Sequence, residues 1–143
     1  MGCDTWAREK TATEEGVMKG VFLDTHVVLW LYAGDVKRLS AKAQHIIDAH
    51  AIAVSPAVKL ELAYLHEIGR VVDTPELLLS DLYRRIGLTV RREDFDRVVE
   101  HAMSLTWTRD VFDRLIVAHA AVDAATLVTK DSQIRAHYEN AVW

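Results

Sequence analysis

The feature that most constrains the fold is a series of very short apolar runs with no polar residue alternating inside them. Residues 21–24 read "VFLD", 51–55 "AIAVS", 88–90 "LTV", 126–129 "TLVT" and 141–143 "AVW". A strand with one face in water alternates polar and apolar residues, whereas one covered on both faces reads as a continuous apolar run. Helical patterns fill the intervals, at 27–31, 41–49, 56–68, 75–86, 93–103, 111–121 and 132–137. Short buried strands alternating with helices predict an α/β chain. The expected architecture is a three-layer α/β/α sandwich around a central, mostly parallel sheet of four to five short strands. The helix at 56–68 carries its own punctuation. Ser55 can cap its N-terminus, Pro56 suits its first turn and Gly69 suits its stop. Val58, Leu62, Leu65 and Ile68 recur at helical spacing and are expected to face the core. Asp73 or Thr74, ahead of Pro75, marks another helix start.

At 143 residues the chain suits one domain. Residues 1–17 stand apart, because "MGCDTWAREKTATEEG" has no sustained periodicity of either kind. They read as a poorly ordered extension, and Met18, opening "MKGVFLDTH", reads as a natural start, which would make the upstream piece a tag or an overlong reading frame. The alternative is an extra helix over residues 5–15. Residues 18–143 are then a single domain. One cysteine, Cys3, supports neither a disulfide framework nor a cysteine-based zinc site. With a polar, charged N-terminus and no apolar run near the roughly 20 residues that span a bilayer, a reducing, cytoplasmic setting without membrane attachment is expected. The net charge of −4 excludes a general nucleic-acid coat protein. It leaves room for an enzyme that touches nucleic acid locally.

The acids carry the chemistry. Asp24 interrupts an apolar stretch, and a lone ionised acid there is costly unless paired, hydrogen-bonded or bound to a metal. In open α/β sheets, sites form beyond the carboxyl ends of the strands. Asp24 ends the first strand, and Asp131 follows the strand at 126–129. Glu61 lies in the helix after the second strand, between Leu60, Leu62 and Ala63, so its face is not plainly solvated. Asp110 and Asp113 open the helix "RDVFDRLIVAHAA", spaced to point the same way, where acids also suit the helix dipole. Each has an ordinary reading too. Asp24, Asp110 and Asp131 can be N-caps, Asp113 can pair with Arg109 or Arg114, and Glu61 can sit on a solvated face. Jointly they suit a hard divalent cation such as Mg²⁺, which takes oxygen ligands and relieves the repulsion of crowded carboxylates. Such an ion activates water and steadies charge on a phosphoryl oxygen, and two ions about 4 Å apart clamp both attacking and leaving oxygens. Thr25 and Thr129 flank two of the acids and can hold a carboxylate in place; otherwise they are ordinary β-branched strand residues.

The segments "FLDTHVVLW", "VSPAVKLELAYLHEIGRV", "WTRDVFDRLIVAHA" and "LVTKDSQIRAHY", with the closing "AVW", resemble successive motifs of the PIN-domain ribonucleases. They look most like the VapC-type toxins of bacterial type II toxin–antitoxin pairs. The resemblance runs from Met18 to Trp143. By position, Asp24, Glu61, Asp113 and Asp131 match the family's catalytic, metal-binding acids, Ser55 the serine before the second, and Asp110 an additional acid common in the subgroup. The implied fold is PIN-like. The implied activity is that of an Mg²⁺- or Mn²⁺-dependent endoribonuclease, usually dimeric, held inactive by a cognate antitoxin whose C-terminal segment lies across the active-site groove. Val111 departs from the pattern, since relatives often carry proline there; no ligand is affected. Residues 71–92 match no motif.

Arg109 and Arg114 flank the acid pair and can contact RNA phosphate or an acidic group of the antitoxin, or form ordinary salt bridges. Arg84, Arg85, Arg91 and Arg92 form the most basic stretch, either guiding a polyanion or lying on solvated faces. The histidines show no zinc spacing. His26 is expected to be structural or peripheral, and the remaining histidines to be surface or partly buried. Trp30, Leu31 and Tyr32 suit the core or a dimer contact. Two other functions compete. A phosphatase forming an aspartyl phosphate on Asp24 would want a second aspartate two positions on, where His26 stands. A degenerate family member would bind a protein partner without catalysis.

Overall fold

The computed structural model of the protein describes residues 20–92 and 94–143. The extension expected over residues 1–17, and Glu93, expected to open a helix, lie outside them. The strands are β1 (Val21–Leu23), β2 (Ile52–Val54), β3 (Thr89–Val90), β4 (Thr126–Val128) and β5 (Ala141–Val142). The helices are α1 (Thr25–Ala33), α2 (Ala41–Ala49), α3 (Pro56–Glu67), α4 (Pro75–Ile86), α5 (Phe95–Met103), α6 (Val111–Val122) and α7 (Ser132–His137), with a 3₁₀ turn at Val36–Arg38.

All five strands are parallel, in the order β3-β2-β1-β4-β5. The unalternated apolar runs have the expected cause. Val21, Phe22 and Leu23 of the central strand are all buried, as are Ile52, Ala53 and Val54 beside them. Right-handed crossovers are the rule for parallel strands. The chain steps outward from β1 to β3, then returns past β1 to build β4 and β5, so the crossovers lie on both faces. The reversal leaves a crevice beyond the carboxyl ends of β1 and β4, the usual place for a site in this class.

Capping chemistry sets the helix starts. Ser55 Oγ accepts the Ala57 N–H at 3.1 Å, ahead of Pro56 in the first turn of α3. Thr74, not Asp73, caps α4. Helix α1 begins two residues earlier than its pattern suggested, because Asp24 caps it through the Thr25 N–H. Thr25 is therefore helical, not a strand residue. Gly34 closes α1 at φ 75°, a left-handed conformation that glycine adopts without penalty.

Two core expectations change. Val58 and Leu62 of α3 are buried, and Leu65 is partly so, but Ile68 is 49% exposed. It follows the last helical residue, where the chain has already turned away from the core face. Leu60, beside Glu61, also points outward. In α6, five consecutive residues from Ile116 to Ala120 are buried, His119 among them at 3% exposure. The helix is covered by α3, β4 and α5, with Val98 and Ala102 of α5 packed on Ala118, so no face is left for a solvated histidine. Trp30, Leu31 and Tyr32 pack at the margin of the core. Three of the four clustered arginines are engaged: Arg84 and Arg85 with Asp81, and Arg91 with Asp123 at 2.7 Å. Arg85 also donates to the Leu31 and Tyr32 carbonyls, so these pairings tie α4 to α1 and β3 to the end of α6.

Candidate active site

Asp24 sits just past β1 and is 5% exposed. Its two oxygens are held by different segments. One accepts the Thr25 N–H at 2.8 Å, the other the Thr129 hydroxyl at 2.7 Å. The same Thr129 hydroxyl oxygen accepts the Asp131 N–H at 3.0 Å. Thr129 therefore ties the ends of β1 and β4 together. Thr25 does the equivalent on the other side, donating its hydroxyl to Glu61 at 2.6 Å. Asp131 and Asp110 cap α7 and α6, so their ordinary readings hold as well. The backbone N–H of Asp113 binds the Asp110 carboxylate, but the Asp113 carboxyl itself accepts no hydrogen bond among the described residues.

The electrostatics bring the remote acids into one neighbourhood. Burial pushes the Asp24 carboxyl up from its ordinary range, against the hydrogen bonds from Thr129 and Thr25. Burial also pushes Glu61 up, opposed by the Thr25 hydroxyl and reinforced by Asp24 and Asp110. Asp113 is pushed up to about 7, first by burial and then by Asp110, Asp24, Asp131 and Glu61. Among the described residues no lysine or arginine forms an ion pair with any of these five acids. Arg114 instead donates Nε to the Thr108 carbonyl at 2.8 Å, and Arg109 is exposed. His26 favours the charged forms of Asp24 and Glu61 from an exposed position at the start of α1.

The donors are hard carboxylate oxygens, mutually repelling and without a basic ion-pair partner, which suits a divalent cation of the Mg²⁺ type. The geometry is open. Among the described residues no three acids, histidines or cysteines stand close enough to enclose an ion. Asp24 has both oxygens turned to protein donors, and Asp131 has one, which accepts the Gln133 and Ile134 N–H groups. The chemistry of the set fits such an ion; closure would draw the half-buried Glu61 and Asp113 side chains inward.

Sequence reasoning named the acids and both threonines as one candidate site; hydrogen bonds join Asp24, Thr25, Glu61, Thr129 and Asp131, and Asp113 feels the charge of the other four acids. Sequence reasoning missed His119, whose Nδ1 lies 3.1 Å from Ser55 Oγ. The available signal was its place inside the apolar run "LIVAHAAV".

Comparison with known proteins identifies the family and the fold. The PIN domain model matches residues 21–140. Ribonuclease VapC22 of Mycobacterium tuberculosis (strain ATCC 25618 / H37Rv) is 34% identical over 128 residues, covering 84% of this chain and 93% of that protein. Two solved structures share the fold. The crystal structure of VapBC2 from Rickettsia felis, bound to a DNA fragment from their promoter, aligns with a TM-score of 0.62 at 20% identity, over 85% of this chain and 95% of that one. A toxin–antitoxin complex from Klebsiella pneumoniae aligns at 0.61 and 16% identity, over 86% and 96%. With its strand order, its acids beyond β1 and β4 and a family match over nearly all its described length, the chain belongs to the PIN-domain family.

Proposed function

We propose that this protein is the endoribonuclease toxin of a toxin–antitoxin pair, hydrolysing RNA phosphodiester bonds with Mg²⁺ or Mn²⁺. The observation that carries the reading is Asp113, a half-buried carboxyl that, among the described residues, has neither a hydrogen bond nor an ion pair and stands among four other acids. The VapC22 relationship supports the substrate class. Asp24, Glu61, Asp113 and Asp131 would hold the ion. Once bound, it supplies an activated water and offsets charge on the scissile phosphate. The protein's own contribution is orientation. Thr25 and Thr129 fix the directions of Glu61 and Asp24, and Asp110 holds the first turn of α6 beneath Asp113. A phosphatase using Asp24 as nucleophile fits less well, because that carboxylate is buried with both oxygens accepting hydrogen bonds.

The same reading assigns residues 18–143 to one catalytic domain acting in the cytoplasm as a homodimer, silenced by an antitoxin laid across the acidic crevice. Arg109 and Arg114, next to that crevice, would face RNA phosphate or the antitoxin's acidic groups. Among the described residues no helix is long and apolar enough to cross a membrane. The direct test is cleavage of a defined RNA with Mg²⁺ or Mn²⁺, with and without chelator. Chelation abolishes cleavage, and Asp24→Asn lowers it by more than about 100-fold, since losing even an outer partner of a metal ligand costs about 10–100-fold in affinity or activity. Cleavage that persists through chelation and in Asp24→Asn would sink the mechanism.

A further inference from the structure

We propose that His119 is a positioning residue: through its hydrogen bond to Ser55 it sets the spacing of helices α3 and α6, and with it the spacing of Glu61 and Asp113. Its consequence for ion binding rests on the function proposed above; its effect on helix spacing does not.

His119 lies six residues beyond Asp113 on α6, and Ser55 lies six residues before Glu61 at the head of α3. Both are buried, at 3% and 2% exposure. Ser55 Oγ already accepts the Ala57 N–H at 3.1 Å, and His119 Nδ1 approaches it at 3.1 Å. A serine hydroxyl has one proton to give and two lone pairs, so it serves as cap and as helix-to-helix bond together. A second contact joins the same helices further on, where the rings of Tyr64 and Phe112 lie 6.2 Å apart. The two contacts run in opposite order along the two helices, so α3 and α6 are antiparallel. Glu61 falls between Ser55 and Tyr64; Asp113 falls between Phe112 and His119. Both acids are thus bracketed by the same two contacts.

The His119 ring also packs on Phe22 of β1, with centroids 5.1 Å apart and planes tilted by 60°. Asp24 follows that strand directly. One imidazole therefore touches all three segments that supply Asp24, Glu61 and Asp113. An apolar side chain would fill this space, yet apolar burial is non-directional. A hydrogen bond restricts donor and acceptor to a few tenths of an ångström. Functional side chains need placing to about 0.5 Å, which gives a polar pair at this crossing its purpose.

The test is Mn²⁺ titration by calorimetry on wild type, His119→Leu, His119→Asn, Ser55→Ala and the His119→Leu/Ser55→Ala double variant. Leucine fills the space without the bond and weakens Mn²⁺ binding about tenfold, the lower end for partners that orient ligands. Asparagine places an amide where Nδ1 stood and recovers most of the loss. The double variant binds no more weakly than the weaker single one, as expected for residues acting through one interaction. If His119→Leu does not fold, Ser55→Ala carries the same expectation. Wild-type affinity in both His119→Leu and Ser55→Ala, or an asparagine variant as weak as leucine, overturns the proposal. A wild type that takes up no Mn²⁺ overturns the metal-dependent function instead. The spacing is then read in the ion-free protein from nitroxides at positions 59 and 111 in a Cys3→Ser background. His119→Leu broadens the distance distribution and His119→Asn restores it; an unchanged distribution in His119→Leu overturns the proposal.

Discussion

Asp113 is a half-buried carboxyl whose surroundings oppose its charge. Its pKa rises from 3.8 to about 7 on folding, with burial the first cause and neighbouring acids the next. Between those values the folded state holds more protons than the unfolded one, so stability falls as pH rises. Asp24 and Glu61 shift in the same direction. Their contribution is fully present below about pH 4 and lost as pH passes through the folded values. Asp113→Asn removes one charge from the cluster without changing its shape. We expect it to flatten the pH dependence of stability in chelator and to raise stability near pH 8 by about 1 kcal/mol, measured by urea denaturation at pH 5 and pH 8. The same variant loses RNA cleavage. Equal pH slopes in Asp113→Asn and wild type would refute this account. The identity and rough place of Asp113 were legible in the sequence, at the head of an apolar helix. Its charge state was not, because that depends on burial and on Asp24, Glu61 and Asp131 from other segments, as well as on Asp110 beside it.

At the scale of single elements, the capping role of the acids is compatible with the site proposed for them. Asp24, Asp110 and Asp131 cap α1, α6 and α7, and all three belong to the acidic crevice. Helix N-termini favour negative charge, so a family of strand-to-helix turns is a natural way to gather carboxylates. Helix starts were readable for that reason, since capping residues and Pro56 and Pro75 act locally. What was lost lay in the coverage of each face. Ile68 continued the spacing of Val58 and Leu62, but the helix ended under it. His119 read as a surface or partly buried residue, but its helix is covered by α3, α5 and β4 and leaves it fully buried. Periodicity locates a helix face; it does not tell how many neighbours that helix has. Gly34 offers a clean element-level test. It sits at φ +75° and a Cβ there would meet nothing within 4 Å. Gly34→Ala should therefore cost about 1 kcal/mol from backbone conformation alone, read as a shifted urea midpoint with unchanged Mn²⁺ affinity. No shift would mean that the αL stop of α1 contributes little.

For the whole molecule, the strand order β3-β2-β1-β4-β5 decides where the acids meet. The sequence pointed to a PIN-like, mostly parallel sheet of four to five strands but named no strand order, since strand order depends on which non-local pairs form and not on the local pattern. The sheet is parallel throughout, where mostly parallel was expected. A ligand that binds only the folded state stabilises it by mass action, by about 2.7 kcal/mol at one hundred times its Kd. Saturating Mn²⁺ should thus raise the Tm of wild type by several degrees and leave Asp24→Asn nearly unmoved. Equal shifts in both proteins would place the ion elsewhere.

Thr129 and Asp24, joined by one hydroxyl bond, are 105 residues apart in the sequence. During synthesis the first strand therefore emerges long before the fourth, with its left-hand neighbours made early and its right-hand neighbour made late. Until then Asp24 lacks Thr129, and Asp131 does not exist. A protein that cuts RNA would be hazardous to its own message if the cutting edge formed first. Here the order of translation postpones the joining of Asp24 to Thr129 until β2, β3 and the helices between them have already been made.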